Sequence, residues 1–124
     1  MANGWSLQNL AQLVVQYRYL IGSEAGFQES LARILTMSGI AYRREYDLGQ
    51  AFGRIDFYLP DDAIGIELKV KGSPSGVMRQ LYRYAQCPEI QALLLVTGRS
   101  RLALAPAAIN SKPLLTIPVW QGQL

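Results

Sequence analysis

The central part of the chain alternates between apolar and polar residues. In RIDFYLPDDAIGIELKV, residues 54–70, apolar residues occupy every second position on both sides of the polar PDDA segment. This period of two, interrupted by a short turn, is typical of a β-hairpin. If Asp61 and Asp62 form the turn, Asp56 lies opposite Glu67 in the antiparallel register. The residues expected on one buried face of the first strand are Ile55, Phe57 and Leu59.

Three other segments place apolar residues three and four positions apart, as in an amphipathic helix. Each segment follows a serine that can cap the first helical turn, and the second ends at Gly39, where a left-handed C-terminal residue is expected. We therefore expect helices over residues 7–21, 24–38 and 74–86, capped by Ser6, Ser23 and Ser73.

Further strands are expected over residues 41–48, 92–97 and 114–119, with Pro118 at a sheet edge and one helical turn at 105–110. The element order is then α, α, β, β, β, α, β, followed by a short α and a short β element. A mixed sheet flanked by helices buries the apolar faces of these elements. We expect a single α/β domain over residues 1–124.

The composition agrees with one globular domain, since 50% of the 124 residues are apolar and 17% are charged. The longest apolar run, Ala92 to Val96, falls far short of the roughly 20 residues that span a bilayer. The N-terminus lacks the pattern of a secretory signal, and the single cysteine, Cys87, excludes an internal disulfide. We expect an intracellular, cytoplasmic protein with no membrane segment.

The chain contains no histidine, which excludes hydrolases with a histidine base and HExxH zinc enzymes. Any hydrolytic chemistry must therefore use carboxylates, lysine and a hard metal ion. Arginine accounts for most of the twelve basic residues, and the net charge is +3. This composition fits either a solvated basic surface or the recognition of phosphate, whose geometry a guanidinium matches.

Asp56 and Glu67 are the first candidates for such chemistry. Two carboxylates about 5 Å apart repel each other by on the order of 3 kcal/mol at an effective dielectric constant near 20. Lys69 and Arg54 are expected on the same face of the hairpin. The four residues are either a surface charge cluster that the two cations neutralise, or a site for a divalent cation such as Mg²⁺.

Two helices supply further candidates. Glu24 is expected on the buried side of its helix, where its carboxylate either interacts with the helix dipole or completes a three-carboxylate site. Glu29 is expected on the other side of that helix. In the helix after the hairpin, Gln80 and Tyr84 are four residues apart and share a face, with Arg83 adjacent.

Together, these residues resemble the motifs of the PD-(D/E)XK nuclease superfamily. The match is the segment Gly53 to Asp56, GRID, followed after ten residues by Glu67 to Lys69, ELK, with isoleucine where the family often has proline. Gln80-x-x-x-Tyr84 is similar to the QxxxY motif of the RecB-type branch, and Glu24 matches an upstream acidic residue. The resemblance covers residues 24–96 and implies a restriction-endonuclease-like αβββαβ core, here with an extra N-terminal helix.

The resemblance implies a metal-dependent DNA endonuclease that hydrolyses phosphodiester bonds with Mg²⁺ or Mn²⁺ as cofactor. The implied metal ligands are Asp56, Glu67, Glu24 and the backbone carbonyl of Leu68. Lys69 would activate the attacking water and stabilise the developing charge, and Gln80 and Tyr84 would position the substrate strand or support the site.

Because one small domain leaves no room for a separate module that reads bases, we expect DNA recognition through phosphate contacts and DNA shape. The basic residues expected to contact DNA are Arg54, Lys71, Arg79, Arg83, Arg99 and Arg101, with Arg43 and Arg44 adjoining them. Tyr42, Tyr46 and Tyr82 are candidates either for stacking on unpaired bases or for ordinary packing.

Stand-alone family members of this size resemble Holliday junction resolvases, which implies a structure-selective enzyme that acts as a homodimer. The alternatives are a RecB-like nuclease on single-stranded ends or flaps, a catalytically silent relative that binds DNA or a protein, and a small α/β binding domain. The intact set of Asp56, Glu67 and Lys69 argues against a silent relative, since a degenerate copy has little reason to keep the repulsive pair.

Overall fold

The computed structural model describes residues 4–98 and 105–121, which form three helices and eight strands. The helices are α1 (Leu7–Val15), α2 (Glu24–Met37) and α3 (Pro74–Ala85). The strands are β1 (Arg18–Tyr19), β2 (Arg43–Asp47), β3 (Arg54–Leu59), β4 (Ile64–Lys69), β5 (Ala92–Thr97), β6 (Ala108–Ile109), β7 (Lys112–Pro118) and β8 (Trp120–Gln121).

Six of the strands form one mixed sheet in the order β2-β3-β4-β5-β7-β6. β2, β3 and β4 are antiparallel neighbours, whereas β4, β5 and β7 run parallel to one another. β6 pairs antiparallel with the start of β7, so Pro118 lies beyond the β6 pairing. The α/β class and the mixed sheet are confirmed, and the nuclease-like core stays a prediction.

Helices cover both faces of this sheet and divide the core into two clusters. In the α1–α2 cluster, Leu10, Phe27 and Leu31 pack against the face that carries Phe57 and Leu68. In the α3 cluster, side chains of α3 pack on the opposite face; its members include Val77, Leu81, Tyr84, Ile55, Leu93 and Leu95. β5 is therefore buried on both faces, which explains its uninterrupted apolar sequence ALLLVT.

The serine caps predicted from the sequence are confirmed. The side-chain oxygens of Ser6, Ser23 and Ser73 each accept a hydrogen bond of 3.0 to 3.1 Å from a backbone N–H three residues later. α2 ends next to Gly39, whose φ of 70° is the left-handed conformation expected there. None of the helices in the described ranges is long and apolar enough to cross a membrane.

Two predicted elements differ from the structure. The first helix ends at Val15 instead of residue 21, because Arg18 and Tyr19 form β1 and pair in parallel with β8. Tyr19 is fully buried and its hydroxyl donates to the backbone carbonyl of Val14, which fixes the turn after the helix. Residues 108 and 109, predicted within a helical turn, form β6 because their backbone pairs with the start of β7.

Candidate active site

The β3–β4 hairpin has a regular half near its turn and an irregular half near its open end. Phe57 pairs with Ile66 and Leu59 with Ile64, as the sequence predicts. Past Phe57, side chains replace backbone carbonyls as acceptors: the N–H of Asp56 donates to Glu67 Oε1 at 3.3 Å, and the N–H of Leu68 donates to Asp56 Oδ2 at 2.9 Å. The two carboxylates therefore lie between the strands, where they accept backbone hydrogen bonds.

The predicted single buried face of β3 is wrong at this point. Phe57 and Leu59 belong to the α1–α2 cluster, but Ile55 belongs to the α3 cluster on the other side of the sheet. The neighbouring strand also changes face, since Arg44 lies over the Phe57 ring whereas Tyr46 stacks on Tyr58. Glu45, between them, has a φ of 50°. The period of two thus breaks in both strands beside Asp56.

The electrostatic environment disfavours the charged form of both carboxyls. Burial is the main cause that raises the pKa of Glu67 to about 8, and the Asp56 charge raises it further. Burial likewise raises the pKa of Asp56 to about 6, with contributions from the charges of Glu24 and Glu45. Lys69 lowers the pKa of both groups, and its Nζ lies 3.5 Å from Glu67 Oε2.

The α2 residue that contacts Asp56 is Gln28, which the sequence analysis missed. Its amide nitrogen donates to Glu45 Oε2 at 2.7 Å and to Asp56 Oδ1 at 3.3 Å. Gln28 is only 7% exposed. Its position three residues before Leu31, on the buried stripe of α2, is the sequence signal that identifies it. Glu45 was also missed, since no sequence pattern indicates the left-handed backbone at its position.

Glu24, expected on the buried side of α2, is exposed in the first turn of the helix, and Gln28 is the buried polar residue one turn later. Its charge still reaches Asp56 and raises the pKa of that carboxyl. Glu29 is also exposed and pairs with Arg44 at 3.2 Å.

Gln80 and Tyr84 contact each other, as their spacing predicts, and support the start of β3. The Gln80 amide donates to the Tyr84 hydroxyl at 2.8 Å, and that hydroxyl donates to the backbone carbonyl of Arg54 at 2.8 Å. Tyr84 is 1% exposed. Burial raises its pKa, and the charges of Glu67 and Asp56 raise it further, so the hydroxyl stays protonated as a donor.

The predicted DNA-contacting residues lie on the protein surface where the structure describes them. Arg54, Lys71, Arg79 and Arg83 are exposed. The Arg83 guanidinium approaches within 3.8 Å of the position that a Cβ would take on Gly53, directly before β3. Arg99 and Arg101 lie outside the described residues. Arg44 is held by Glu29 and Gln28 and is therefore less available for phosphate.

The oxygens of Asp56 and Glu67 have incomplete hydrogen bonding. Three of the four carboxylate oxygens meet their nitrogen donors at 3.3 to 3.5 Å, beyond the usual range of about 2.7–3.2 Å. A hard divalent cation, which prefers carboxylate oxygens, fits this donor pair. The expected third carboxylate does not complete it: across residues 4–98 and 105–121, no group of three or more histidine, cysteine, aspartate or glutamate residues is arranged to hold a metal.

Comparisons of the chain with protein-family models, with curated proteins and with solved structures found no match.

Proposed function

We propose that this protein hydrolyses phosphodiester bonds in DNA with the help of a divalent metal ion. The observation that carries the proposal is the pair Asp56 and Glu67, inserted between β3 and β4 with Lys69 beside it. A hairpin that served only the fold would gain by pairing its backbone here. Instead, the protein keeps two carboxylates whose mutual repulsion and burial oppose their ionisation.

In this proposal Asp56 and Glu67 would hold the ion, Mg²⁺ or Mn²⁺, and the backbone carbonyl of Leu68 would be a third ligand. When bound, the ion would polarise a phosphoryl oxygen and lower the pKa of a coordinated water. Glu24, whose charge reaches Asp56 from the exposed end of α2, would bind waters around the ion.

Lys69 supplies the positive charge that the protein itself brings to the reaction. Its side chain is 26% exposed, so the ammonium can contact both Glu67 and a phosphate approaching from solvent. There it would orient the attacking water and stabilise negative charge in the transition state. Gln80 and Tyr84 are positioning residues, since their hydrogen bonds hold the backbone of Arg54 two residues before Asp56.

Four exposed cations are proposed to bind the DNA backbone. Arg54 lies on β3, Lys71 in the loop between β4 and α3, and Arg79 and Arg83 on α3. Contacts of this kind position DNA without reading its sequence. Selectivity for branched DNA, with two copies of the chain acting on two strands, is the form of the activity that we propose.

The direct test is cleavage of a labelled DNA panel, comprising linear duplex, single strand, flap and four-way junction, with Mg²⁺, Mn²⁺ or EDTA. We expect metal-dependent cutting that falls about 100-fold or more in Glu67→Gln, because one of the two acidic ligands is lost. Asp61→Asn is the matched control, since it removes an exposed carboxylate from the turn of the same hairpin. Equal cutting by Glu67→Gln and the control would overturn the proposal.

A second candidate is a relative that binds DNA without cutting it. The observation in its favour is that an amide, Gln28, contacts Asp56 from α2, and the nearest α2 carboxylate, Glu24, is exposed. This function predicts DNA affinity that is the same in Mg²⁺ and EDTA, and no cleavage of any panel member by the unmodified protein. That result would replace the nuclease proposal.

A further inference from the structure

An open groove of about 610 Å³ runs along the outer side of α3. Its floor is apolar and its edge is basic; the lining residues used below are Met78, Arg79, Tyr82, Arg83, Pro106 and Ile109. This volume is in the range of small-molecule and cofactor sites. We call this feature the α3 groove.

The charge of the α3 groove selects an anionic occupant. Arg79 and Arg83 lie one turn apart on α3, are both exposed, and face no carboxylate among the described residues that line the groove. Guanidinium groups so placed can contact successive phosphates of an extended strand. An apolar floor between them suits a flat, uncharged group attached to those phosphates.

Tyr82 provides a surface on which such a group can stack. Tyr82 is 50% exposed. The rings of the other two tyrosines that were candidates for base stacking already contact protein side chains. Tyr42 packs against Phe57, and Tyr46 stacks on Tyr58 with 4.7 Å between ring centroids. An exposed aromatic ring between two arginines is the arrangement that binds unpaired nucleotides without sequence preference.

Two adjacent residues of α3 link the α3 groove to the start of β3, the strand that carries Asp56. Arg83 lines the groove and its guanidinium also lies near Gly53. Tyr84, the next residue, is fixed to the backbone of Arg54 at the start of β3. Arg83 therefore connects the lining of the groove to the strand that carries Asp56.

We propose that the α3 groove binds an unpaired nucleotide of the substrate strand, with its base stacked on Tyr82 and its flanking phosphates on Arg79 and Arg83. The inference rests on the proposed nuclease function and makes its substrate more specific. DNA with a single-stranded segment beside the cut is the preferred substrate, so ends, flaps and opened junctions are favoured over continuous duplex.

Binding is measured first, in EDTA, with single-stranded oligonucleotides that carry the fluorescent base 2-aminopurine at successive positions. Stacking on Tyr82 is expected to quench the fluorescence at one position. Tyr82→Ala should remove that quenching and weaken binding about 5- to 100-fold, whereas Tyr82→Phe should retain both. Met37→Ala is the matched control, because Met37 is a 64% exposed apolar residue on α2.

The arginines are tested by the salt dependence of the same binding. Arg79→Gln should weaken binding and reduce the slope of log affinity against log salt by about one phosphate contact. An unchanged slope, or equal quenching by Tyr82→Ala and the unmodified protein, would overturn the inference. Tighter binding of a glutamate-rich peptide than of the oligonucleotide would also overturn it in favour of a protein partner.

A cleavage assay distinguishes a failure of this inference from a failure of the proposed function. If the protein cuts, Tyr82→Ala should slow cutting of the flap at least 5-fold more than cutting of linear duplex. Cutting with no such difference would overturn the groove assignment alone. Quenching that depends on Tyr82, in a protein that cuts no substrate, would overturn the nuclease function and leave the groove as a nucleotide-binding site.

Discussion

The two halves of the β3–β4 hairpin differ in the groups that accept their backbone hydrogen bonds. The closed half, next to the turn, pairs its backbone regularly and places Phe57 and Ile66 in the core. The open half places Asp56 and Glu67 between its strands and moves Ile55 to the opposite face. The closed half thus contributes packing energy, whereas the open half buries two carboxyl groups whose ionisation is unfavourable. The cation site that we propose would use both halves, because the closed half fixes the strands that carry Asp56 and Glu67.

The largest effect is expected in the closed half. Phe57→Ala removes a fully buried ring from the α1–α2 cluster and should lower the free energy of unfolding by about 3–5 kcal/mol. The measurement is chemical denaturation followed by circular dichroism. Val15→Ala, at a position that is 43% exposed, is the control and should change stability by about 0.5 kcal/mol or less. Equal effects would contradict the assignment of stability to this half.

A smaller effect, which depends on pH, is expected in the open half. Because the pKa of Glu67 is raised to about 8 in the fold, its contribution to stability is present below its ordinary pKa near 4.5 and is lost as pH rises through 8. In EDTA, the unmodified protein should therefore lose on the order of 2 kcal/mol of stability between pH 6 and 8.

Glu67→Gln removes this titration and should leave only a small change in stability between pH 6 and 8, which comes from Asp56, whose pKa of about 6 lies at the lower end of that range. Asp61→Asn should retain the slope of the unmodified protein, since Asp61 is exposed in the turn. Thermal melts across this pH range provide the measurement. A stability that rises with pH in the unmodified protein would contradict the burial of Glu67.

The smallest effect concerns the backbone that leads into the open half. Gly53 has a φ of 95°, which L-residues rarely adopt, and it directly precedes β3. Gly53→Ala should destabilise the fold by about 1–2 kcal/mol. Gly22→Ala is the matched control, because a Cβ there meets nothing within 4 Å and its φ is ordinary. Urea midpoints that shift equally for both variants would show that the backbone at Gly53 is not constrained.

The sequence predicted the elements whose signals are local. Serine caps, the helical period of α2 and α3, and the alternation in the closed half all depend on neighbours within four residues, and the structure confirms them. The contact between Gln80 and Tyr84 was predictable for the same reason. The mixed sheet was predicted from the need to bury the apolar faces of the predicted helices and strands.

The parts that the sequence did not predict depend on distant neighbours. The first helix ended early because β8, far along the chain, pairs with Arg18 and Tyr19. The face change at Ile55 follows from the carboxylates between the strands and from the left-handed backbone of Glu45, neither of which a period of two can indicate. Gln28, for which no role was predicted, takes the buried position that was expected of Glu24, because both residues share one side of α2 and only the packing against the sheet decides which of them is buried.

The parallel pairing of β1 with β8 has a consequence for the order of folding. Arg18 and Trp120, which face each other in this pair, are about a hundred residues apart along the chain. Closing a loop of that length costs on the order of 4 kcal/mol of chain entropy, so this contact is unfavourable until the intervening sheet has formed. We therefore expect β1 to be the last strand to find its partner, and the amide hydrogens of the segment between α1 and α2 to be the last to gain protection in refolding experiments.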